Sequence, residues 1–144
     1  MESKESKLKV LIADDDPLNR DMLTKLMSKL GYGSDTVSTA DDEINAIRQN
    51  KQNPDKYCLV ITDNKMGDGH EDSGLYATEQ IRNHSKVPII FMSGDLTEDL
   101  TDDTSKKALK LGADALIKKP FDIYNVLNKA KQLSEQYIKD YLQG

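Results

Sequence analysis

Several features are scarce in this sequence of 144 residues, and each scarcity excludes a class of protein. Cys58 is the one cysteine, so an internal disulfide is excluded, which fits a reducing compartment. No segment is apolar over the length of a membrane span, and the charged residues 1–7 precede no signal-peptide stretch. We therefore expect a cytoplasmic protein without membrane contact. Cys58 lies within an apolar run and is interpreted as a core residue.

Positive charge is also scarce. The chain has 20 lysines and arginines against 25 aspartates and glutamates, a net charge of −5. Because such a chain is repelled by phosphate backbones, we expect no direct binding to nucleic acid. A local basic patch is the alternative, although a solvated face plus one buried functional lysine is the favoured interpretation. The lysines concerned are Lys106, Lys107, Lys110, Lys118 and Lys119.

Short apolar runs recur along the chain and predict five β-strands. Three strong runs occupy residues 8–13, 57–62 and 87–92. Runs without polar alternation are typical of strands that are covered on both faces, as in parallel sheets. Two weaker runs, residues 36–38 and 115–117, are expected nearer the edges of the sheet.

Helical patterns lie between these runs. Asp16 and Pro17 are start signals for the first helix, and Thr39 is expected to cap the second. The third is predicted over residues 73–84, the fourth stops at Gly112, and the fifth is long. The apolar positions are Leu18, Met22, Leu26 and Leu30 in the first helix, and Val126, Leu127, Ala130, Leu133, Tyr137, Ile138 and Tyr141 in the fifth.

The alternation of five strands and five helices predicts an α/β fold. Its expected form is a doubly wound parallel sheet with helices on both faces. A content of 37% hydrophobic and 31% charged residues suits one globular domain with a single core. In such sheets ligands bind beyond the carboxyl ends of the strands, which is where chemistry is expected.

Acidic residues follow two of the predicted strands. Asp14 and Asp15 end the first strand, and Asp63 ends the third. Carboxylates that are brought together raise a pKa or recruit a cation, and Mg²⁺ takes such oxygen ligands. A carboxylate beside Mg²⁺ can attack phosphorus and form an acyl phosphate. Helix capping explains Asp16, but it does not explain the other three acids.

Two further polar residues end predicted strands. The ammonium group of Lys119 would neutralise charge on phosphoryl oxygens, and the Ser93 hydroxyl would donate to one of them. Taken alone, Lys119 would be interpreted as a surface lysine and Ser93 as a turn residue before a glycine. Their order along the chain with the three acids is what makes the pattern specific.

With these motifs the sequence resembles the receiver domain of bacterial two-component response regulators. The resemblance spans residues 7–133, taken as the domain, and leaves residues 134–144 as an extension of the fifth helix. It implies a five-stranded flavodoxin-like sheet in the order 2-1-3-4-5. The motifs that carry it are residues 10–17, 63–66, 93–94, 112–114 and 119–121.

The resemblance implies a phosphoacceptor and a magnesium site. Asp63 would accept the phosphoryl group and contribute to the site. Asp15 would bind Mg²⁺ directly, with Asp14 beside it acting directly or through water. The backbone carbonyl of Lys65 would be a further ligand. The donor would be a phosphohistidine on a histidine kinase or a histidine phosphotransfer protein, and the chain would catalyse nothing beyond its own phosphorylation and dephosphorylation.

The resemblance also implies how the phosphoryl group is held. Ser93 would be the switch hydroxyl that moves toward it. Lys119 would pair with Asp63 and later with the phosphoryl oxygens, and the Lys119–Pro120 peptide bond would be cis. His70 and His84 match no family position and are predicted to be surface residues.

The sequence departs from the family pattern beside the site. Gly67 stands where proline is usual, and the segments at residues 67–73 and 95–104 are longer than usual and acidic. Leu116 stands where the family often has an aromatic residue that reports activation, so the readout is expected to differ.

The side chains of Lys65 and Asp95 are expected to act in opposite directions on the acyl phosphate. Lys65 is two residues past Asp63 and would shield the phosphoryl group from water, whereas Asp95 would orient water. We lean toward a long-lived phosphorylated state, and Lys65→Asn should then speed hydrolysis.

The chain ends soon after the fifth helix, so a stand-alone receiver is expected that signals through protein contact. It would be a phosphorelay intermediate or a diffusible effector of an unidentified downstream protein. The last helical turns, with Tyr137, Ile138, Tyr141 and Leu142, would either form a homodimer or partner surface or fold onto the body.

Two other classes of protein remain. A receiver-like scaffold that is never phosphorylated would fit Leu116 and the altered loops. A haloacid-dehalogenase-like phosphatase would use Asp14 and Asp16 as a DxD pair, although Pro17 directly after the pair argues against it.

Overall fold

Five parallel strands form one sheet in the order β2–β1–β3–β4–β5 in the computed structural model, which describes residues 8–50 and 56–142. Each predicted run overlaps a strand, and the two weaker runs fall on the edge strands, as expected, although β2 begins at Gly33, three residues before the predicted run, and β4 begins at Ile89, two residues after its run does. The fold class and the strand order are therefore confirmed. The strands are β1 (Lys9–Ala13), β2 (Gly33–Val37), β3 (Tyr57–Asp63), β4 (Ile89–Ser93) and β5 (Ala115–Lys118).

The predicted helices alternate with these strands. The Asp16 side chain accepts a hydrogen bond from the Leu18 N–H at 3.0 Å, so it caps the first helix as predicted. Thr39 caps the second helix by accepting from the Asp42 N–H at 3.1 Å. The helices are α1 (Pro17–Lys29), α2 (Ala40–Gln49), α3 (Ser73–Arg82), α4 (Asp103–Leu111) and α5 (Ile123–Tyr137), followed by a π-helical turn (Ile138–Leu142).

The buried face of α1 differs from the row of apolar residues in its sequence. Leu26 of that row is buried, but Leu18 is 77% exposed and Met22 is 42% exposed. A spacing of four residues advances about 40° per step around a helix of 3.6 residues per turn, so the row drifts from solvent into the core. Leu23 and Met27 complete the buried face instead.

Two hydrophobic layers cover the sheet. Every residue of β3 is buried, which explains its uninterrupted apolar run. Cys58 packs in the layer beneath α1 and α5, and burial raises its thiol pKa to about 12, so its prediction as a core residue is confirmed. Ile44 and Ile47 of α2 pack in the opposite layer.

The turn after α5 folds onto the body of the domain. Ile138 is 6% exposed and packs in the layer beneath α1, whereas Tyr141 is 56% exposed. The sequence left open whether these last turns form a dimer or partner surface or pack onto the body of the domain. Ile138 packs onto the body. Lys7, at the start of the predicted domain, and Gln143 and Gly144 lie outside the described residues. Within the described part of the chain, no helix has the length and apolar character to cross a membrane.

Candidate functional site

Four strands bring the predicted site residues to one edge of the sheet. Asp14 directly follows β1, Asp63 ends β3, Ser93 ends β4, and Lys119 directly follows β5. Asp63 is paired in register with Met92, so Ser93 lies one position beyond it on the neighbouring strand. Because all the strands are parallel, these four residues lie at the same carboxyl edge, as the sequence predicted.

Three carboxylates form a cluster at this edge. One oxygen each of Asp14, Asp15 and Asp63 lies within 4.8 Å of the other two. Asp14 and Asp63 are buried, whereas Asp15 is exposed. Burial raises the pKa of Asp63 to about 6, and the charges of Asp14 and Asp15 act in the same direction against the opposing effect of Lys119. A concentration of negative charge with oxygen donors is a setting that suits a hard divalent cation.

Lys119 bridges two of these carboxylates. Its Nζ lies 2.9 Å from Asp63 Oδ1 and 3.1 Å from Asp14 Oδ2. Burial alone would lower the pKa of the ammonium group, but the two carboxylates outweigh it and the pKa is raised. The Lys119–Pro120 peptide bond is cis, as the resemblance implied. Lys106, Lys107 and Lys110 are exposed on α4.

The start of α1 holds Asp14 in place. Asp14 Oδ1 accepts from the Asp16 N–H at 2.9 Å, and Oδ2 accepts from Asn19 Nδ2 at 3.4 Å. Arg20 donates to the Asp14 carbonyl at 2.8 Å. Asn19 and Arg20 were not predicted as site residues, although polar residues in the first helical turn after a strand-end acid were a usable signal. Asp16 caps α1 and is absent from the carboxylate cluster, so the DxD arrangement is not assembled.

Among the described residues, the Ser93 hydroxyl accepts a hydrogen bond and has no acceptor for its own hydrogen. The residue is 2% exposed, and its Oγ accepts the Asp95 N–H at 3.0 Å. An oxygen that is held as an acceptor from one side can direct its own hydrogen elsewhere.

The two residues after Asp63 are both tied to Asp72. Asn64, which is fully buried, donates to Asp72 Oδ1 at 2.9 Å, and Lys65 Nζ donates to the same oxygen at 3.1 Å. Lys65 also donates to the Glu71 carbonyl at 3.1 Å. The lysine that was expected to shield a phosphoryl group is therefore held by the end of the β3–α3 loop.

The β3–α3 loop is anchored to α2. Gly67 has a φ of +63°, which a proline ring at about −65° could not adopt, so the departure from the family pattern has a backbone cause. Asp68 accepts from the Ala40 N–H at 2.8 Å and from the Ser73 hydroxyl at 2.7 Å. Both contacts fix the loop between two helices.

Both histidines keep contact with solvent, as predicted, although His70 does so less than His84. His84 is exposed, as predicted. His70 is partly buried, because its ring stacks on Tyr76 with centroids 4.1 Å apart and its Nε2 lies 3.3 Å from Asp41 Oδ1. Sequence reasoning assumed a solvent-facing loop and could not anticipate that the loop folds back onto α2 and α3.

Glu43 of α2 is a further residue that sequence reasoning missed. It is fully buried, Oε1 accepts from the Thr62 hydroxyl at 2.9 Å, and Oε2 has no hydrogen-bond partner among the described residues. Burial raises the pKa of Glu43 to about 8, and the nearby Asp68 charge contributes. The available signal was its place on the apolar face of α2, between Ala40 and Ile47.

The segment after β4 is ordered by its own side chains. Asp102 caps α4, and hydrogen bonds led by that of the Ser105 hydroxyl lower the Asp102 pKa. Leu100, at a φ of +58°, packs against a small apolar cluster that contains Leu116. Leu116 is 5% exposed and lies inward, so no aromatic side chain is presented at this position.

An open cavity of about 510 Å³ lies beside Lys119. Its walls combine apolar side chains from α1 with others from the start of α5. The lining residues are Asn19, Met22, Lys119, Pro120, Phe121 and Ile123.

Comparisons with known proteins agree on one family. The family model described as "Response regulator receiver domain" matches residues 10–131. The probable transcriptional regulator ycf27 of Guillardia theta is 34% identical over 119 residues, which are 81% of this chain and 41% of that protein. The chain spans 41% to 50% of the length of the first curated relatives that it matches.

Solved structures share the fold. A two-component response regulator from Clostridium difficile superposes with a TM-score of 0.74 at 26% identity, covering 90% of this chain and 97% of that one. The receiver domain of a sensor histidine kinase from Pseudomonas aeruginosa PAO1, solved with magnesium coordinated in its active-site cleft, superposes with a TM-score of 0.71 at 18% identity. That second match covers 88% of this chain and 97% of the other.

Proposed function

The chain belongs to the response regulator receiver domain family, and on that premise we propose that Asp63 accepts a phosphoryl group in a Mg²⁺-dependent reaction. The donor is a histidine kinase or a histidine phosphotransfer protein, and the output is a protein–protein contact. The observation that carries the proposal is the bridge of Lys119 between Asp14 and Asp63 at the strand ends. This is the charge pattern that phosphoryl transfer requires.

The residues present fit a magnesium ion. Asp14, Asp15 and Asp63 supply clustered carboxylate oxygens, and the Lys65 backbone carbonyl is the proposed further ligand. Exposed Asp15 leaves room for the waters that Mg²⁺ usually retains. When bound, the ion supplies positive charge beside the phosphoryl oxygens.

Asp63 is the proposed nucleophile. One of its carboxylate oxygens bonds to phosphorus, while the bond from phosphorus to the donor imidazole nitrogen breaks. The electron pair of that bond stays on the nitrogen, and the product is an aspartyl phosphate. Because Asp63 is buried, the donor group must approach from the side of exposed Asp15.

Lys119 and Ser93 are the proposed phosphoryl-binding residues. The Lys119 ammonium contacts Asp63 before transfer, so it is already placed to pair with a phosphoryl oxygen afterwards. The Ser93 hydroxyl donates to a second oxygen, which draws the end of β4 toward the phosphoryl group. Since Leu116 replaces the usual aromatic reporter, this movement would be read out through the β4–α4 segment packed on it.

The cavity beside Lys119 is the proposed entry side for the donor protein. Met22 of α1 lines it and is 42% exposed, and Leu18, one helical turn earlier on α1, is 77% exposed. Neighbouring exposed apolar side chains beside a reactive centre are typical of a surface that another protein covers.

Incubation with acetyl phosphate and Mg²⁺, followed by intact mass spectrometry, tests the proposal. Wild type and the exposed-site control Asp21→Asn should gain one phosphoryl group. Asp63→Asn should gain none, and wild type in EDTA should gain none either. If wild type gains nothing from acetyl phosphate or from phosphohistidine donors, the chain is an unphosphorylated scaffold.

A further inference from the structure

Asp72 holds an unusual position at the start of α3. It is the N-cap residue, yet among the described residues its side chain makes no capping hydrogen bond. Its Oδ1 instead accepts from Asn64 Nδ2 at 2.9 Å and from Lys65 Nζ at 3.1 Å. An N-cap aspartate normally stabilises its helix through its own carboxylate. Here that carboxylate is directed to the two residues that follow Asp63.

The Lys65 ammonium lies among acceptors that are separate from the carboxylate cluster. It donates to the Glu71 carbonyl at 3.1 Å and is paired with Asp72. Among the described residues no acid of the cluster lies within ion-pair distance of Lys65 Nζ. We call the contacts of Lys65 with Asp72 and the Glu71 carbonyl the Lys65 latch. The hydrogen bond to Asp72 is the main reason that the pKa of Lys65 is raised.

The Lys65 latch is weak enough for a phosphoryl group on Asp63 to compete with Asp72 for the Lys65 ammonium. The side chains of Lys65 and Asp72 are 52% and 38% exposed, and ion pairs at such exposure contribute little to stability. A lysine side chain is a flexible stem that carries a point charge. A phosphoryl group on Asp63 adds close to two negative charges two residues away from Lys65. The same ammonium group therefore has two alternative partners.

We propose that Asp72 is a positioning residue that holds Lys65 away from the phosphoryl group and leaves the acyl phosphate open to water. This inference rests on the proposed function of Asp63. In the hydrolysis step a water oxygen bonds to phosphorus, and the bond from phosphorus to the Asp63 oxygen breaks with its electron pair on the carboxylate. The water proton leaves to solvent, and inorganic phosphate is released. Released from the latch, Lys65 covers the phosphoryl group and slows this attack.

The test is a double-mutant cycle on the hydrolysis rate. Each variant is phosphorylated with acetyl phosphate and Mg²⁺, the donor is removed, and the loss of the phosphoryl group is followed by intact mass. Asp72→Asn keeps an oxygen that accepts from Asn64 but loses the ion pair, so hydrolysis should slow by about two- to fivefold. In the Lys65→Gln background, the same Asp72→Asn change should leave the rate unaltered.

The matched control is Asp103→Asn, which removes an exposed carboxylate from α4 and should leave the rate at the wild-type value. If Asp72→Asn slows hydrolysis equally with Lys65 or Gln at position 65, the effect is structural and the latch is wrong. An unchanged or faster rate in Asp72→Asn also overturns it. If wild type accepts no phosphoryl group at all, the proposed function fails, and the latch fails with it.

Discussion

Glu43 is a carboxylic acid whose surroundings disfavour its charged form. Its carboxyl group is fully buried, and one oxygen accepts from Thr62, the residue before Asp63. A buried carboxyl group with a pKa of about 8 carries its proton at neutral pH, so Glu43 is uncharged there.

Stability should therefore depend on the ionisation of Glu43. The ordinary pKa of 4.5 applies in the unfolded chain and the raised value of about 8 in the folded one, so the folded state holds more protons between these values. Stability falls as pH rises through this window, by up to about 1.4 kcal/mol per pH unit. Denaturant unfolding between pH 5 and 8 should give a shallower fall for Glu43→Gln than for wild type.

The slope is the informative quantity in that experiment. A glutamine amide at position 43 leaves buried donors without a partner, which lowers stability at every pH by about 1–3 kcal/mol. The exposed control Glu79→Gln should keep the wild-type slope. Equal slopes for wild type and Glu43→Gln would contradict the account of a buried, protonated Glu43.

At the scale of elements, the close approach of α3 to β3 shapes the site. A Cβ atom added to Gly74 would lie 2.8 Å from both Asn64 Cα and the Asp63 carbonyl oxygen, and 3.0 Å from Phe91 Cε2. Two of these neighbours are backbone atoms and have little freedom to move. The absence of a side chain at Gly74 is therefore a condition for the position of Asp63.

Gly74→Ala should destabilise the domain and impair phosphorylation. Alanine gains up to about 1 kcal/mol in helix propensity, but forcing a methyl group against backbone costs about 1–3 kcal/mol, so the clash prevails. Denaturant unfolding and acetyl phosphate labelling measure the two effects. Gly94→Ala is the matched control, because no heavy atom of the described residues lies within 4 Å of its added Cβ. If both variants match wild type, the packing argument fails.

The sequence was sufficient for elements whose pattern is local. The strands follow from apolar runs, and the caps Asp16 and Thr39 follow from their types and positions. The buried face of α1 did not follow from the sequence. Residues spaced four apart do not stay on one face of a helix with 3.6 residues per turn. Side-chain partners that depend on tertiary approach, such as Asp72 with Lys65 and His70 with Tyr76, could not be predicted, because they join an element to a loop whose path the sequence does not specify.

At the scale of the whole molecule, the carboxyl edge of the sheet carries both the proposed chemistry and an apolar surface. Met22 of α1 lines the same cavity as Lys119, and Leu18, one helical turn earlier on α1, is exposed. A protein donor must cover this surface, whereas acetyl phosphate has only to reach Asp63. Comparing the rates of transfer from the two donors therefore distinguishes an effect on docking from an effect on the chemical step.

Leu18→Arg should impair transfer from a protein donor and spare transfer from a small one. With a histidine phosphotransfer protein that phosphorylates wild type, we expect the rate to fall by about tenfold, the effect of losing a contact worth about 1–2 kcal/mol. Labelling by acetyl phosphate should stay at the wild-type rate. Leu109→Arg, at an exposed leucine of α4, is the control and should behave as wild type with both donors. Equal loss with both donors would contradict a docking role.

The central claim is that Asp63 itself becomes the acyl phosphate, and the most direct measurement locates the modified residue. The labelled protein is reduced with borohydride, which converts an aspartyl phosphate to homoserine, and its peptides are sequenced by mass spectrometry. The account predicts homoserine at position 63 alone. Homoserine at position 14 or 15 in place of 63, or a labelled protein with no homoserine, would contradict it.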